Sequence, residues 1–206
     1  MTVPKWLNPI VNMIGKIKFE WLYALLTGRR FSLKVDDLSR IYAKLQQDNY
    51  IILTYRKTHL STFFIRLAHY ILTKRWATYV HVCANIEETD NEKIKIFESI
   101  GIGTRISKFE EVFNCDGVCL LKLPKDNDEF FNELMRNLEK PYDSQFNIED
   151  DNELSCIEYI YDALKEFPDD EERFKKLHYL VTKYKNIDPE MIYESGAFEV
   201  ELEIRR

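Results

Sequence analysis

An α+β fold, with an antiparallel sheet of about five strands and helices packed on it, is predicted by three observations. Five short stretches, residues 50–55, 79–86, 93–99, 117–123 and 198–204, are rich in β-branched and aromatic residues or alternate apolar with polar. Longer stretches between them repeat apolar residues every three or four positions, as amphipathic helices do. Gly28, Pro124, Pro141 and Pro189 stand at the boundaries, where a helix or strand has to stop or start.

Residues 4–27 read as a helix, with Trp6, Ile10, Met13, Ile14, Ile17, Trp21, Leu22 and Leu25 on one stripe and Gly28 as its stop. That stripe can cover a core or, given its lysines, lie on a membrane surface. A shorter helix is predicted over Val35 to Gln47. Asn49 to Tyr55 is the first strand, and Leu60 to Leu72 a helix flanked by His59 and carrying His69, both read as surface or packing histidines. Trp76 to Ile86 holds the second strand. Alternation places Val80, Val82, Ala84 and Ile86 on one face, and Tyr79, His81, Cys83 and Asn85 on the other.

After a turn at Thr89 to Asn91, Lys93 to Ser99 is the third strand. Glu98 continues the apolar row of Ile94 and Ile96, which is costly for a carboxylate unless it has a partner. Gly101 and Gly103 bend the chain, too few and wrongly spaced for a phosphate loop. Thr104 to Phe113 is read as a connection and Gly117 to Leu123 as the fourth strand. Asp128 to Glu139 is a helix ended by Pro141. A second follows from Cys156 to about Phe167, a helical piece covers Arg173 to Tyr184, and Pro189 starts a last turn before the closing strand Phe198 to Ile204.

The totals bound the function. The 206 residues suffice for one large domain or a domain with an extension, and the formal net charge of −6 does not suggest a nucleic-acid partner. Charge is uneven: residues 1–30 carry Lys5, Lys16, Lys18, Arg29 and Arg30 against Glu20 alone, and Tyr55 to Trp76 carries Arg56, Lys57, Arg66, Lys74 and Arg75 with no acid. Peripheral contact with an anionic membrane through residues 4–27 and 55–76 is therefore an open expectation. Four cysteines are too sparse for a disulfide scaffold. No signal peptide and no membrane span is expected, so the default location is cytoplasmic. Cys115 and Cys119, with Cys83, form at best a weak zinc signal. Burial is the alternative, and no metal or cofactor is expected.

The chemistry centres on Cys156. Ile157, Ile160, Tyr161 and Leu164 follow it at helical spacing, an acidic stretch containing Glu149, Asp150 and Asp151 precedes it, and Asn152 or Ser155 can cap the helix. A cysteine at a helix N-terminus meets unpaired N–H groups that favour a thiolate and can hold an oxyanion. The alternative is a small buried residue on the helix edge. His81 is a titratable group on a rigid strand.

At this point several stretches, in order, resemble the circularly permuted papain-like branch of the NlpC/P60 superfamily, the YiiX-type cysteine hydrolases. They are Tyr50-Ile51-Ile52-Leu53-Thr54, Tyr79-Val80-His81-Val82, Ile96-Phe97-Glu98-Ser99, Gly101-Ile102-Gly103-Thr104-Arg105-Ile106, Pro141-Tyr142-Asp143 with Phe146, Cys156-Ile157-Glu158-Tyr159-Ile160, and Asp188-Pro189-Glu190 through Phe198-Glu199-Val200. The resemblance spans residues 48 to 202. It implies a catalytic domain over 48–206 behind an N-terminal helical extension, 1–47, and a permuted papain-like sheet with the nucleophile helix packed across it. It also implies a Cys156–His81–Glu98 triad, ordered His, polar residue, Cys, with Tyr142 as a candidate to line the site and donate to an oxyanion. Val80 and Ile157 stand where the family usually has serine. An amidase or peptidase acting on a peptide or amide substrate is the activity implied. Lipid acyl transfer of the lecithin retinol acyltransferase type, or a non-catalytic binding module, are the alternatives.

Overall fold

The computed structural model describes residues 33–56, 60–86, 94–125, 127–143, 152–167, 172–184 and 187–205. The expected helix over 4–27, the turn at 89–91, His59 and the acidic residues 149–151 lie outside them.

Among the described residues there are seven helices and six strands: α1 (Val35–Leu45), β1 (Tyr50–Tyr55), α2 (Leu60–Thr73), β2 (His81–Ile86), β3 (Lys95–Ile100), β4 (Gly103–Ser107), α3 (Phe109–Val112), β5 (Gly117–Lys122), α4 (Asp128–Arg136), α5 (Cys156–Leu164), α6 (Glu172–Tyr184), α7 (Pro189–Ser195) and β6 (Glu199–Arg205). The strands form one sheet in the order β4-β3-β2-β1-β5-β6, and every neighbouring pair is antiparallel. The mixed α+β class and the antiparallel sheet stand as expected. No described helix is long and apolar enough to cross a membrane.

Alternation along the strands builds two cores. Ile51, Leu53, Val82, Ala84, Phe97, Cys119 and Leu121 point to one face, where α4, α5 and α6 cover them with Phe130, Leu134, Tyr159, Ile160, Phe174 and Leu177. Ile52, Cys83, Ile96, Val118 and Leu120 point to the other, against Ile41 and Leu45 of α1. Helix α1 starts where the Asp37 carboxylate accepts from the Lys34 N–H at 3.0 Å. Helix α7 shows the boundary signals its sequence carries: Asp188 caps the Met191 N–H, Pro189 takes the first turn, and Gly196 closes it with a left-handed φ of 65°.

Three sequence expectations are corrected. The stretch read as a connection from Thr104 contains a sixth strand, β4, paired with β3 through Glu98↔Arg105 and Ile96↔Ser107. An edge strand buries little apolar surface, so its sequence (GTRIS) lacks the β-branched run that marks a central one. Tyr79, placed with His81 and Cys83 by alternation, instead packs with Val82 and Ala84. Pairing within β2 starts only at His81, because the Thr78 and Tyr79 N–H groups donate to the Glu190 carboxylate, at 2.7 and 2.8 Å. Alternation does not extend past the first paired residue. Two helices are also shorter at their C-termini than expected, α4 ending at Arg136 and α5 at Leu164.

The turn between β3 and β4 positions the segment that leads to Cys156. Gly103 has φ 110°, and a Cβ there would lie 2.4 Å from the Lys140 carbonyl oxygen. Across this contact the Thr104 N–H donates to Lys140 O at 2.9 Å and the Glu139 N–H to Thr104 O at 3.1 Å. Pro141 O then accepts from the Leu154 N–H at 2.9 Å, and the Ser99 hydroxyl donates to Leu154 O at 2.5 Å. Gly103→Ala combines a strained φ with a backbone clash, so it is expected to destabilise the fold by about 2–4 kcal/mol in chemical denaturation. A Gly101→Ala control, with nothing within 4 Å of the added Cβ, should change stability by under about 1 kcal/mol.

Candidate active site

Helix α5 begins with a reciprocal cap. The Ser155 hydroxyl accepts from the Glu158 N–H at 3.4 Å, and the Glu158 carboxylate accepts from the Ser155 N–H at 2.8 Å. Of the two caps the sequence allowed, Ser155 is the one used, and Cys156 is the first helical residue. The helix itself offers no partner to the N–H groups of Cys156 and Ile157, which point out of its N-terminus. Cys156 is buried, together with Ile157, Tyr159 and Ile160, against the β2–β3 face of the sheet.

His81 is the first residue of β2 and Glu98 lies diagonally across on β3, where Cys83 pairs with Glu98. His81 Nε2 lies 2.9 Å from Glu98 Oε2. The same imidazole interacts with the Cys156 side chain, and Nδ1 is the nitrogen left for it. Glu98 shares the face of Ile96 while Cys156 belongs to the opposite core. His81, partly buried at the strand's end, joins the two sides. The structure therefore brings together all three residues singled out in the sequence.

Glu98 is buried and fully engaged. Its Oε1 accepts from Arg105 Nε at 3.2 Å and Nη2 at 2.9 Å, and from the Ser107 hydroxyl. Arg105 also reaches Glu111 at 3.2 Å. Burial would raise the Glu98 carboxyl, but the His81 bond and charge, Ser107 and Arg105 outweigh it and hold the pKa at about 2. Burial likewise opposes a charged His81, and the bonds to Cys156 and Glu98 outweigh it, raising its pKa to about 9. These partners resolve the apolar-row carboxylate noticed in the sequence. Arg105 and Ser107 carried no independent signal there because the strand that presents them was read as a connection.

Two further groups surround the thiol. Tyr142 is half-buried, and burial, then the charges of Cys156, Glu158 and Asp143, push its phenol well above its ordinary range. It is therefore a neutral hydroxyl close to Cys156. Glu158 is buried too. Burial raises its pKa to about 7 against the Ser155 hydrogen bonds, with Asp143 and Asp162 adding to the rise.

The other cysteines take no part. Cys83 donates to Ile52 O at 3.7 Å and Cys115 to Gly117 O at 3.3 Å. Burial raises the pKa of Cys115 and of Cys119 to about 12 and that of Cys83 well above its ordinary value. Cys119 belongs to the core on the opposite side of the sheet from Cys83 and Cys115. Among the described residues, no group of three or more His, Cys, Asp or Glu side chains is placed to hold a metal ion. His69 is a buried packing residue, its Nδ1 2.7 Å from Asp188 Oδ2.

Compared with protein-family models, curated proteins and solved structures, the chain matches none.

Proposed function

We propose that this chain is a cysteine hydrolase of the amidase or peptidase class, with Cys156 as nucleophile, His81 as base and Glu98 as the group that orients it. The observation that carries this reading is a single imidazole held between a thiol at a helix N-terminus and a buried carboxylate, with Glu98 bound at 2.9 Å. The ordered resemblance to the permuted NlpC/P60 hydrolases, with its papain-like fold, supports it.

In the proposed reaction Cys156 gives its proton to His81 and the sulfur attacks a carbonyl carbon. The resulting oxyanion accepts from the Cys156 backbone N–H, with the Tyr142 hydroxyl as candidate second donor. The C–N bond breaks as the imidazolium protonates the leaving amine, which leaves a thioester on Cys156. Water, deprotonated by His81, then attacks the thioester carbonyl. The acid is released and the thiol regains its proton. Glu98, ionised and fixed by Arg105 and Ser107, accepts from Nε2 and stabilises the imidazolium through both half-reactions.

Incubating the protein with a panel of peptidyl and acyl-amide p-nitroanilides and quenching in acid is expected to show an acyl adduct on the peptide containing Cys156 by mass spectrometry. The adduct should be cleaved by neutral hydroxylamine, as a thioester is. Adducts spread over other residues, or absent for every anilide in the panel while Cys156 stays reduced, would point to a binding module instead.

A further inference from the structure

We propose that the end of α2 and the turn after it, Tyr70 to Trp76, form a peripheral anchor for an anionic lipid surface. Four large apolar residues stand out of the protein here: Tyr70 is 39% exposed, Ile71 47%, Leu72 37% and Trp76 50%. Other exposed apolar residues, such as Ile102 and Val35, sit singly on separate elements, whereas these four fall within seven residues. A helix whose outer face is this apolar is normally covered.

The anchor is built rather than loose. The rings of Tyr70 and Trp76 stack at 5.2 Å. Arg66 lies over the Trp76 ring at 5.9 Å and donates to Ala77 O at 2.7 Å. The Lys74 N–H closes the helix onto Tyr70 O at 2.8 Å, and the Arg75 N–H donates to the Thr73 hydroxyl at 3.2 Å. Just beyond, Glu190 fixes the backbone of Thr78 and Tyr79.

Charge selects the partner. From Tyr55 to Trp76 the sequence holds five cations and no acid. Lys74 and Arg75 flank the apolar residues, and among the described residues the Lys74 ammonium donates to a carbonyl, Ile71 O, at 3.2 Å. Of the acids of the neighbouring helix, Asp188 turns to His69 and Glu190 to the Thr78 and Tyr79 amides, while Glu194 reaches the exposed Arg75 at 3.3 Å and offsets one of the two flanking cations. Apolar and aromatic tips flanked by exposed lysine and arginine match the boundary between acyl chains and anionic headgroups. A protein groove would bury the apolar tips equally well but gives no reason for a stretch, Tyr55 to Trp76, that carries five cations and no acid.

The anchor does not depend on the catalytic reading, and its test is kept separate. The full chain is sedimented with phosphatidylcholine vesicles and with vesicles containing phosphatidylserine. Binding is expected only to the latter, to weaken with salt, and to survive Cys156→Ala. Ile71→Asp and Trp76→Ser are each expected to lower partitioning at least tenfold, and Lys74→Glu about fivefold or more. Ile102→Asp, on the exposed β3–β4 turn, should bind as wild type. Because the side chains replaced at the tip and at Ile102 are exposed, unchanged thermal unfolding serves as the folding control for them. The proposal fails if wild type stays in the supernatant, or if the tip variants bind as wild type, which would assign attachment to the basic residues 1–30. It also fails if light scattering shows a dimer that Ile71→Asp dissociates, which would make the patch a contact between copies. Loss of binding in Cys156→Ala alone would mean that lipid is held at the thiol and not at the tip.

Discussion

His81→Ala is expected to slow alkylation of Cys156 by iodoacetamide at pH 7 by about 10²-fold, and turnover of any amide substrate by about 10²–10⁴-fold. Only His81 among the described residues is placed both to take the thiol proton and to be held charged by a carboxylate. Cys83, Cys115 and Cys119 provide the internal control. Burial holds their thiols protonated, so they should label slowly and equally in wild type and variant, because the thiolate is the reactive form. His81→Gln, closer in size, guards against a packing artefact: it should label as slowly as the alanine variant. Equal labelling of Cys156 in wild type and both variants would remove the base from the mechanism and leave a scaffold that places a cysteine beside a histidine without using it. Glu158 adds a neighbouring charge that appears as pH rises through about 7. Glu158→Gln should therefore be run beside the pH profile to separate that change from the titration of His81.

Much of this site is legible in the sequence. Cys156 stood out because four apolar residues at helical spacing begin beside it, and a helix start has unpaired N–H groups whatever the rest of the fold does. Glu98 stood out because period-2 alternation put a carboxylate in an apolar row, which demands a partner. Both signals are local, and both survive in the structure. What stayed hidden was non-local or polar. Ser107 and Arg105 satisfy Glu98 from β4, an edge strand with almost no apolar signature. Gly103 was read as a bend, whereas its cost to replace comes from Lys140, thirty-seven positions away in the chain. Tyr79 changed faces because a carboxylate on α7 captures its amide, an event no strand pattern encodes. The Ser155–Glu158 cap lay in plain sight as a serine with a glutamate three residues on. The raised pKa of Glu158 arises from its burial first, and then from the neighbouring charges of Asp143 and Asp162.

The second large effect concerns stability. Glu98→Ala is expected to destabilise the protein by about 2–4 kcal/mol, because it leaves the buried Ser107 hydroxyl without its carboxylate and takes from the Arg105 guanidinium the closer of its two carboxylates, Glu98 and Glu111, among the described residues. Glu98→Gln should cost less, since the amide oxygen still accepts from Arg105 or Ser107. The pH dependence tells the two contributions apart. Glu98 has a folded pKa of about 2, below its ordinary value. Its contribution is present above pH 4.5 and is lost as pH falls from there towards 2. His81 has a folded pKa of about 9, above its ordinary 6.5. Its contribution is complete below pH 6.5 and is lost as pH rises towards 9. The pair therefore stabilises most between pH 4.5 and 6.5, by about 2–3 kcal/mol relative to either extreme. Glu158 works against this plateau: the folded state holds its proton up to about pH 7, so its contribution falls as pH rises from 4.5. Subtracting the unfolding free energy of Glu98→Gln from that of wild type at each pH cancels Glu158 and isolates the pair. The difference should be bell-shaped, high near pH 5–6 and reduced at pH 3 and pH 9. A flat difference would show that His81 and Glu98 do not share a charge-stabilised bond in solution, and the proposed base would lose the partner that orients it.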